Sequence, residues 1–314
     1  MKISIIGPGL MPIPPKGWGA VETLIWDMRN ALIVLGHEVD IVNVNNPREI
    51  LKKVSEFKPD FVHIHYDDWV GLYQYIDYPC ACTSHYGYLE RPDMFGGYVN
   101  IANAFALIKP RIFSLSEGIK KVYNVLMDIP KEKLYFSPNG VNCSAFRFTD
   151  APHHADRSIY LAKIDYRKRQ HLFQSIDSLY YAGNIADERF DKEKNYLGEW
   201  SKEFLYNNLT EYGNLVLLSD GEAHPLVCME AFAAGLGVVV TEWGKANLDV
   251  DKEFITVIPE KHIGDIEFLE YEIVKNREYS INHREEILKY AQTFDWINVV
   301  KDHYIPNIEK VLSS

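Results

Sequence analysis

Two glutamates, Glu222 and Glu230, stand with seven residues between them in the segment Ser219-Asp220-Gly221-Glu222-Ala223-His224-Pro225-Leu226-Val227-Cys228-Met229-Glu230. Pro225 suits a first helical position and Gly235 a stop, so the pattern predicts a helix from Pro225 to Ala234. Glu222 then lies in the loop before that helix, and Glu230 about one and a half turns inside it. The residues around Glu230 are otherwise apolar, and a carboxylate in that setting needs a partner, because an unpaired buried charge is costly. A vicinal diol is one such partner, donating two hydroxyl hydrogens; a structural salt bridge is the other. Free amides at the helix start favour phosphate close to Glu222. Lys163, Arg167, Lys168 and Arg169 put four cations within seven residues of a chain whose net charge is −11. That concentration fits an anion site, or a solvated basic loop.

The first half of the chain offers other chemistry. His63-Ile64-His65-Tyr66-Asp67-Asp68 places two imidazoles on one face of a strand end, and His63, His65 and Asp67 make a possible zinc set. The run is similar to the H-x-H-x-D-H motif of the metallo-β-lactamase fold, with Asp68 in place of the last histidine. The preceding Pro59-Asp60-Phe61-Val62 instead reads as a parallel strand between helices, which makes the histidines structural or cleft-lining. His85 follows the strand Cys80 to Ser84, at an end where α/β sheets bind ligands. In the loop Pro12 to Glu22, three prolines keep the chain extended, and Gly17 and Gly19 allow close backbone approach ahead of a helix N-terminus. Gly7-Pro8-Gly9 is not a dinucleotide fingerprint: the third glycine would fall at Pro12, and Asp40 sits inside the second strand.

These residues need elements to hold them. Ile3 to Ile6 reads as a strand, Val21 to Leu35 as a helix with Val21, Leu24, Ile25, Met28, Leu32 and Leu35 on one face, and Val39 to Val44 as a strand. This βαβ unit favours a parallel sheet with helices on its faces. Helices at 47–57, 98–108 and 117–126 and strands at 60–65, 80–84, 111–114 and 133–136 continue it. Polar residues 147–157 mark a domain boundary. A second series follows: strand 158–162, helix 170–179, strand 215–218, helix 225–234 and strand 238–241. Residues 184–212 show no clear period. Trp296 to Leu312 reads as a helix. Two α/β halves in tandem leave a cleft where ligands bind.

Composition narrows the function. The chain has 314 residues, 47% hydrophobic and 25% charged, which suits two globular domains and excludes general disorder. No apolar stretch reaches the roughly 18–20 residues of a membrane span, and no signal peptide is expected, though this leaves room for weak peripheral contact with a membrane. The acidic balance argues against nucleic acid as partner. Cys80, Cys82, Cys143 and Cys228 lack redox or zinc-ribbon spacing and read as free thiols in a reducing compartment, the cytoplasm.

Taken in order, the motifs resemble those of the retaining family 4 glycosyltransferases. Glu222 and Glu230 match that family's paired-glutamate motif. Pro14-Pro15 through Trp18-Gly19-Ala20-Val21-Glu22 is similar to its Tyr-Gly-Gly-x-Glu loop, and Gly36-His37-Glu38-Val39 to its Gly-His-Glu-Val strand entry. Val62-His63-Ile64-His65, Pro138-Asn139-Gly140-Val141-Asn142 and Phe294-Asp295-Trp296 correspond to further motifs in sequence order. The resemblance implies a GT-B fold: two Rossmann-like α/β domains facing a central cleft, at 1–150 and 151–293, with a helix at 294–314 crossing back to the first. It implies a metal-independent, retaining enzyme without a cofactor, moving sugar from a nucleotide-diphosphate sugar to a hydroxyl acceptor (glycan, lipid or small molecule). Carried over by residue, His85 would line the reaction centre and Glu222 would contact sugar hydroxyls. Glu230 would hold the ribose diol. Lys163, Lys168 and Gly19 would take the diphosphate together with the helix start at Pro225, Leu226 and Val227. Ala20, Lys163, Arg169, Ala223 and His224 depart from the family pattern. The departures and the trimmed second half keep open a non-catalytic nucleotide-sugar-binding module, and the histidines keep open a zinc-dependent hydrolase.

Overall fold

The apolar run at the N-terminus becomes β1 (Lys2–Ile6), whose last four residues are buried. The proline-rich loop after it leads into α1 (Ala20–Val34), whose buried side chains include Leu24, Ile25, Met28, Ala31 and Leu32. β2 (Glu38–Val42), α2 (Pro47–Phe57), β3 (Phe61–Ile64), β4 (Cys80–Cys82), α3 (Val99–Ile108), β5 (Ile112–Ser114), α4 (Glu117–Val125) and β6 (Leu134–Phe136) follow. Local chemistry sets the helix starts. The Asn46 side chain accepts from the Arg48 and Glu49 amides ahead of α2, and Ser116 accepts from Ile119 ahead of α4. This computed structural model describes residues 1–17 and 19–314; Trp18 of the glycine loop lies outside them.

The six strands form one parallel sheet in the order β2-β1-β3-β4-β5-β6. The order reverses between β1 and β3, so the loops leaving those strands diverge to opposite faces. The glycine loop leaves β1 and His65 follows β3. Between β3 and β4 the chain makes a 3-10 segment at Asp67–Tyr75, which the sequence pattern did not predict.

The second unit contains β7 (His154–Leu161), β8 (Leu179–Ala182), α5 (Lys202–Asn208), β9 (Tyr212–Leu217), α6 (Leu226–Ala233), β10 (Gly237–Thr241), β11 (Ile255–Ile258), α7 (Ile266–Asn282) and α8 (Arg284–Ala291). Its strands are also parallel, in the order β11-β10-β9-β7-β8, which, read from the β8 edge, repeats the order of β1 to β5 in the first sheet without a counterpart of β6. Here one expectation fails. Residues 170–179 are not a helix: Gln170–Leu172 is a single 3-10 turn, and Leu179 already begins β8. Phe173, Ile176 and Leu179 are fully buried, so their spacing serves a compact crossover instead of a helical face. Pro225 caps α6 from outside with extended ψ and is not its first helical residue.

The first unit comprises Met1–Gly140 together with Trp296–Ser314, and the second Val141–Asp295. Residues 141–150, expected within the first domain, bond within the second unit: the Arg147 amide donates to Tyr206 O and the Thr149 amide to Thr210 Oγ1. The final helix runs as α9 (Trp296–Val299), a π-helical stretch Val300–Tyr304 and α10 (Ile305–Leu312). Asn307 of α10 donates to Phe136 O at 2.7 Å, tying the helix to β6. All four cysteines are free thiols. Among the described residues no helix is long and apolar enough to cross a membrane.

Candidate functional site

The chemistry of the second unit gathers at the carboxyl ends of two neighbouring strands. The loop after β7 carries Lys163 to Gln170, and the loop after β9 carries Ser219 to Pro225. The strands are adjacent, so the loops bond to each other: Asp220 N donates to Arg167 O, Arg167 Nη1 to Gly221 O at 2.5 Å, and Arg169 Nε to Leu218 O at 2.9 Å. Thr241 Oγ1, at the end of β10, steadies the second loop by donating to Ser219 O at 2.6 Å.

Lys168 and Glu222 form a direct ion pair across these loops, and both side chains are nearly buried. Ser219 Oγ donates to the same Glu222 oxygen at 2.7 Å, while Arg167 Nη1 lies 3.4 Å from the other. Burial pushes the Glu222 carboxyl up, but Lys168, Arg167 and Ser219 outweigh it and hold the group below its ordinary range. Burial pulls the Lys168 ammonium down, against the opposing pull of Glu222. The ionised form of Glu222 is therefore the one its neighbours favour. Lys163 is exposed and its carbonyl accepts from Gln170 Nε2, so it stands outside this buried group. Arg169 is committed elsewhere, paired with Glu260. Its φ of 59° lies in the left-handed region that favours glycine, and its bonds to Leu218 O and Glu260 hold the arginine there.

Behind the loop, α6 begins at Leu226, and the first amides of the helix have no intrahelical acceptor. Glu230 lies inside α6, 5% exposed, and its Oε1 accepts from Lys202 Nζ at 2.8 Å. Lys202 opens α5, in the stretch that showed no period, so sequence reasoning missed it. Burial raises the Cys228 thiol of α6, and both Glu222 and Glu230 add to that rise.

In the first unit, Gly19 caps α1 at φ 140°. A Cβ there would press on Pro15 and on Glu22 Oε2, so the position requires glycine. Burial raises the Glu22 carboxyl. The histidines bond to one another. His63 and His65 share one face of the β3 end as expected, but their nitrogens engage each other, with His65 Nε2 2.9 Å from His63 Nδ1. His85 Nε2 lies 3.1 Å from His65 Nδ1. Asp67 turns instead to Ser84 Oγ at 2.7 Å and Tyr98 Oη at 3.1 Å. His63, His65 and Asp67 are thus not one donor set, and among the described residues no cluster of three or more histidine, cysteine or acidic side chains could hold a metal ion.

Scanned against family models and curated proteins, the sequence finds no match. Its fold does. The chain superposes on sucrose-phosphate synthase from Thermosynechococcus elongatus with a TM-score of 0.76 at 16% identity, covering 100% of both chains. It superposes on AviGT4, a glycosyltransferase involved in avilamycin A biosynthesis, with a TM-score of 0.70 at 16% identity, covering 100% of this chain and 98% of that one. The value for Anabaena HepE in complex with UDP-glucose is 0.72 at 13% identity, over 100% and 99%. The likeness is one of fold: two parallel-sheet α/β units of the GT-B type.

Proposed function

We propose that the chain transfers a sugar from a nucleoside-diphosphate sugar to a hydroxyl acceptor. The observation that carries this reading is the buried Glu222–Lys168 pair, with Arg167 beside it, directly before the helix that contains Glu230. Charged groups are kept in a nearly buried setting where a plain loop would need none, and they stand beside free helix amides. In this reading Glu230 receives the ribose diol on Oε2 while Lys202 keeps Oε1. Glu222 binds sugar hydroxyls. Lys163, Lys168 and the amides following Pro225, at Leu226 and Val227, take the diphosphate. Gly19 and His85, in the first unit, keep the roles the resemblance implies.

Transfer proceeds with retention and without a resident metal or cofactor. The departing phosphate oxygen takes the acceptor's proton on the same face of the sugar, and Lys168 with the α6 amides stabilises the charge that grows there. The acceptor is a glycan, a lipid or a small molecule, and the protein works in the cytoplasm. HepE was solved with UDP-glucose, so uridine diphosphate sugars are the first donors to try.

A thermal-shift screen of nucleotide sugars tests the reading. At a ligand concentration of about 100 Kd the true donor stabilises the fold by about 2.7 kcal/mol. Glu230→Ala is expected to remove most of that shift. A screen in which no nucleotide or nucleotide sugar raises the melting temperature contradicts the proposal. A shift without transfer or hydrolysis would leave a binding module.

A further inference from the structure

Beyond the donor residues, the first unit contains a hydrogen-bonded chain of polar side chains at the ends of β3 and β4. It starts at the Phe113 carbonyl in β5. Thr83 Oγ1 donates to that oxygen at 2.8 Å, and His63 Nε2 lies 2.8 Å from the same Thr83 oxygen. His63 Nδ1 is 2.9 Å from His65 Nε2, and His65 Nδ1 is 3.1 Å from His85 Nε2. The Tyr304 hydroxyl, from the returning C-terminal helix, stands 2.9 Å from His63 Nδ1.

The direction of the chain follows from proton counting. A carbonyl only accepts, so the Thr83 proton points at Phe113 and Thr83 Oγ1 must accept from His63 Nε2–H. A neutral imidazole has one N–H, which leaves His63 Nδ1 as a bare acceptor. Burial pulls His63 down to about 3 and His85 to about 4, with His65 also well below the usual range, so all three rings are neutral at physiological pH. Burial also keeps the Tyr304 phenol protonated, a second donor to His63 Nδ1. Two bare nitrogens 2.9 Å apart would repel, so His65 carries its proton on Nε2 and donates to His63. By the same step His85 donates from Nε2 to His65. Reversing the whole chain would take the threonine hydroxyl from Phe113 and turn the Tyr304 proton away from its ring acceptor.

We infer that Thr83, His63, His65 and Tyr304 act as positioning residues that hold His85 in the Nε2–H tautomer, presenting Nδ1 as a fixed acceptor for a substrate hydroxyl. His85 is the half-buried end of the chain, and its Nδ1 has no protein partner among the described residues. Such a site rejects a ligand lacking the hydroxyl, since nothing else there supplies the proton. Naming that hydroxyl as one on a sugar rests on the proposed function; the tautomer does not.

The test is long-range proton–nitrogen NMR on the full chain labelled with 15N-histidine, with His85→Gln assigning the ring. The expected spectrum shows His85 protonated on Nε2 and bare on Nδ1 at neutral pH. Thr83→Val is expected to shift the tautomer ratio on the order of fivefold toward Nδ1–H, and Thr83→Ser to leave it unchanged. An Nδ1–H or a doubly protonated His85 in the wild-type chain overturns the inference. So does a Thr83→Val spectrum identical to that of Thr83→Ser. If Thr83→Val does not fold, the wild-type tautomer alone decides. A chain with this tautomer but no nucleotide-sugar binding would keep the inference and remove the transferase reading.

Discussion

Glu230 illustrates how much a single side chain leaves open until its neighbours are known. Its apolar surroundings demanded a partner, and both a diol and a salt bridge met that demand on sequence grounds. The structure supplies the salt bridge, Lys202, on one oxygen only. Lys202→Ala strands a nearly buried carboxylate and is expected to cost about 2 kcal/mol in urea denaturation, less than a fully buried pair because the lysine is partly exposed. Adding Glu230→Gln should recover much of that loss; equal destabilisation in the single and double variants would argue against the pairing. Asp67 makes a second residue-scale case. Burial raises its carboxyl to about 7. A raised acid stabilises the fold below its unfolded value near 4, and that contribution is lost as pH rises through about 7. Asp67→Asn keeps an acceptor for Ser84 and Tyr98 and removes the ionisation. It should therefore stabilise the protein by about 1–3 kcal/mol at pH 8 relative to its effect at pH 5, read as a pH-dependent difference in melting temperature.

At the scale of elements, the first sheet was readable because each strand is a short apolar run closed by polar or glycine residues, and each helix has its own period. His63 and His65 were placed on one face by the two-residue repeat of a strand, and Glu222 and Glu230 on either side of a helix start by the Pro225 and Gly235 signals. The crossover 170–179 was misread because Phe173, Ile176 and Leu179 recur at a helical interval while Arg169, in the left-handed region, and the β8 strand break the helix on both sides. Residues 184–198 gave no period because they form a cover for the sheet edge. The Tyr181 amide donates to Asn195 O, the Leu197 amide donates to Tyr181 O, and Phe190 packs on Tyr181 with ring centroids 5.3 Å apart. Lys202 was hidden with them, since neither its spacing nor its charge marks it as the partner of Glu230. Gly183 joins β8 to this cover at φ 147°, where a Cβ would overlap the Ala162 carbonyl oxygen. Gly183→Ala is expected to destabilise the fold by about 2–4 kcal/mol, with faster amide exchange in β8 and at 195–198. Unchanged exchange there would contradict the covering role.

For the whole molecule, two sheets that share the order of five strands account for the length, and the return of Trp296–Ser314 to the first unit makes that unit discontinuous in sequence. The return has a local function as well as a topological one, because it brings Tyr304 to His63. The net charge of −11 coexists with the buried Lys168 and the half-buried Arg167 on Glu222, so the basic residues at 163–169 divide into a pair on Glu222, a structural arginine and one exposed lysine. Fold alone is common to enzymes with many substrates, and the transferase reading depends on the site. Its most direct test is donor turnover by the intact chain beside Glu222→Gln, with a panel of nucleotide sugars and release of nucleoside diphosphate as the readout. The account predicts slow hydrolysis or transfer of one donor by the wild-type chain and a loss of at least about 100-fold in Glu222→Gln, with the fold retained. Equal turnover in the two proteins, or none with any donor that binds, would contradict it.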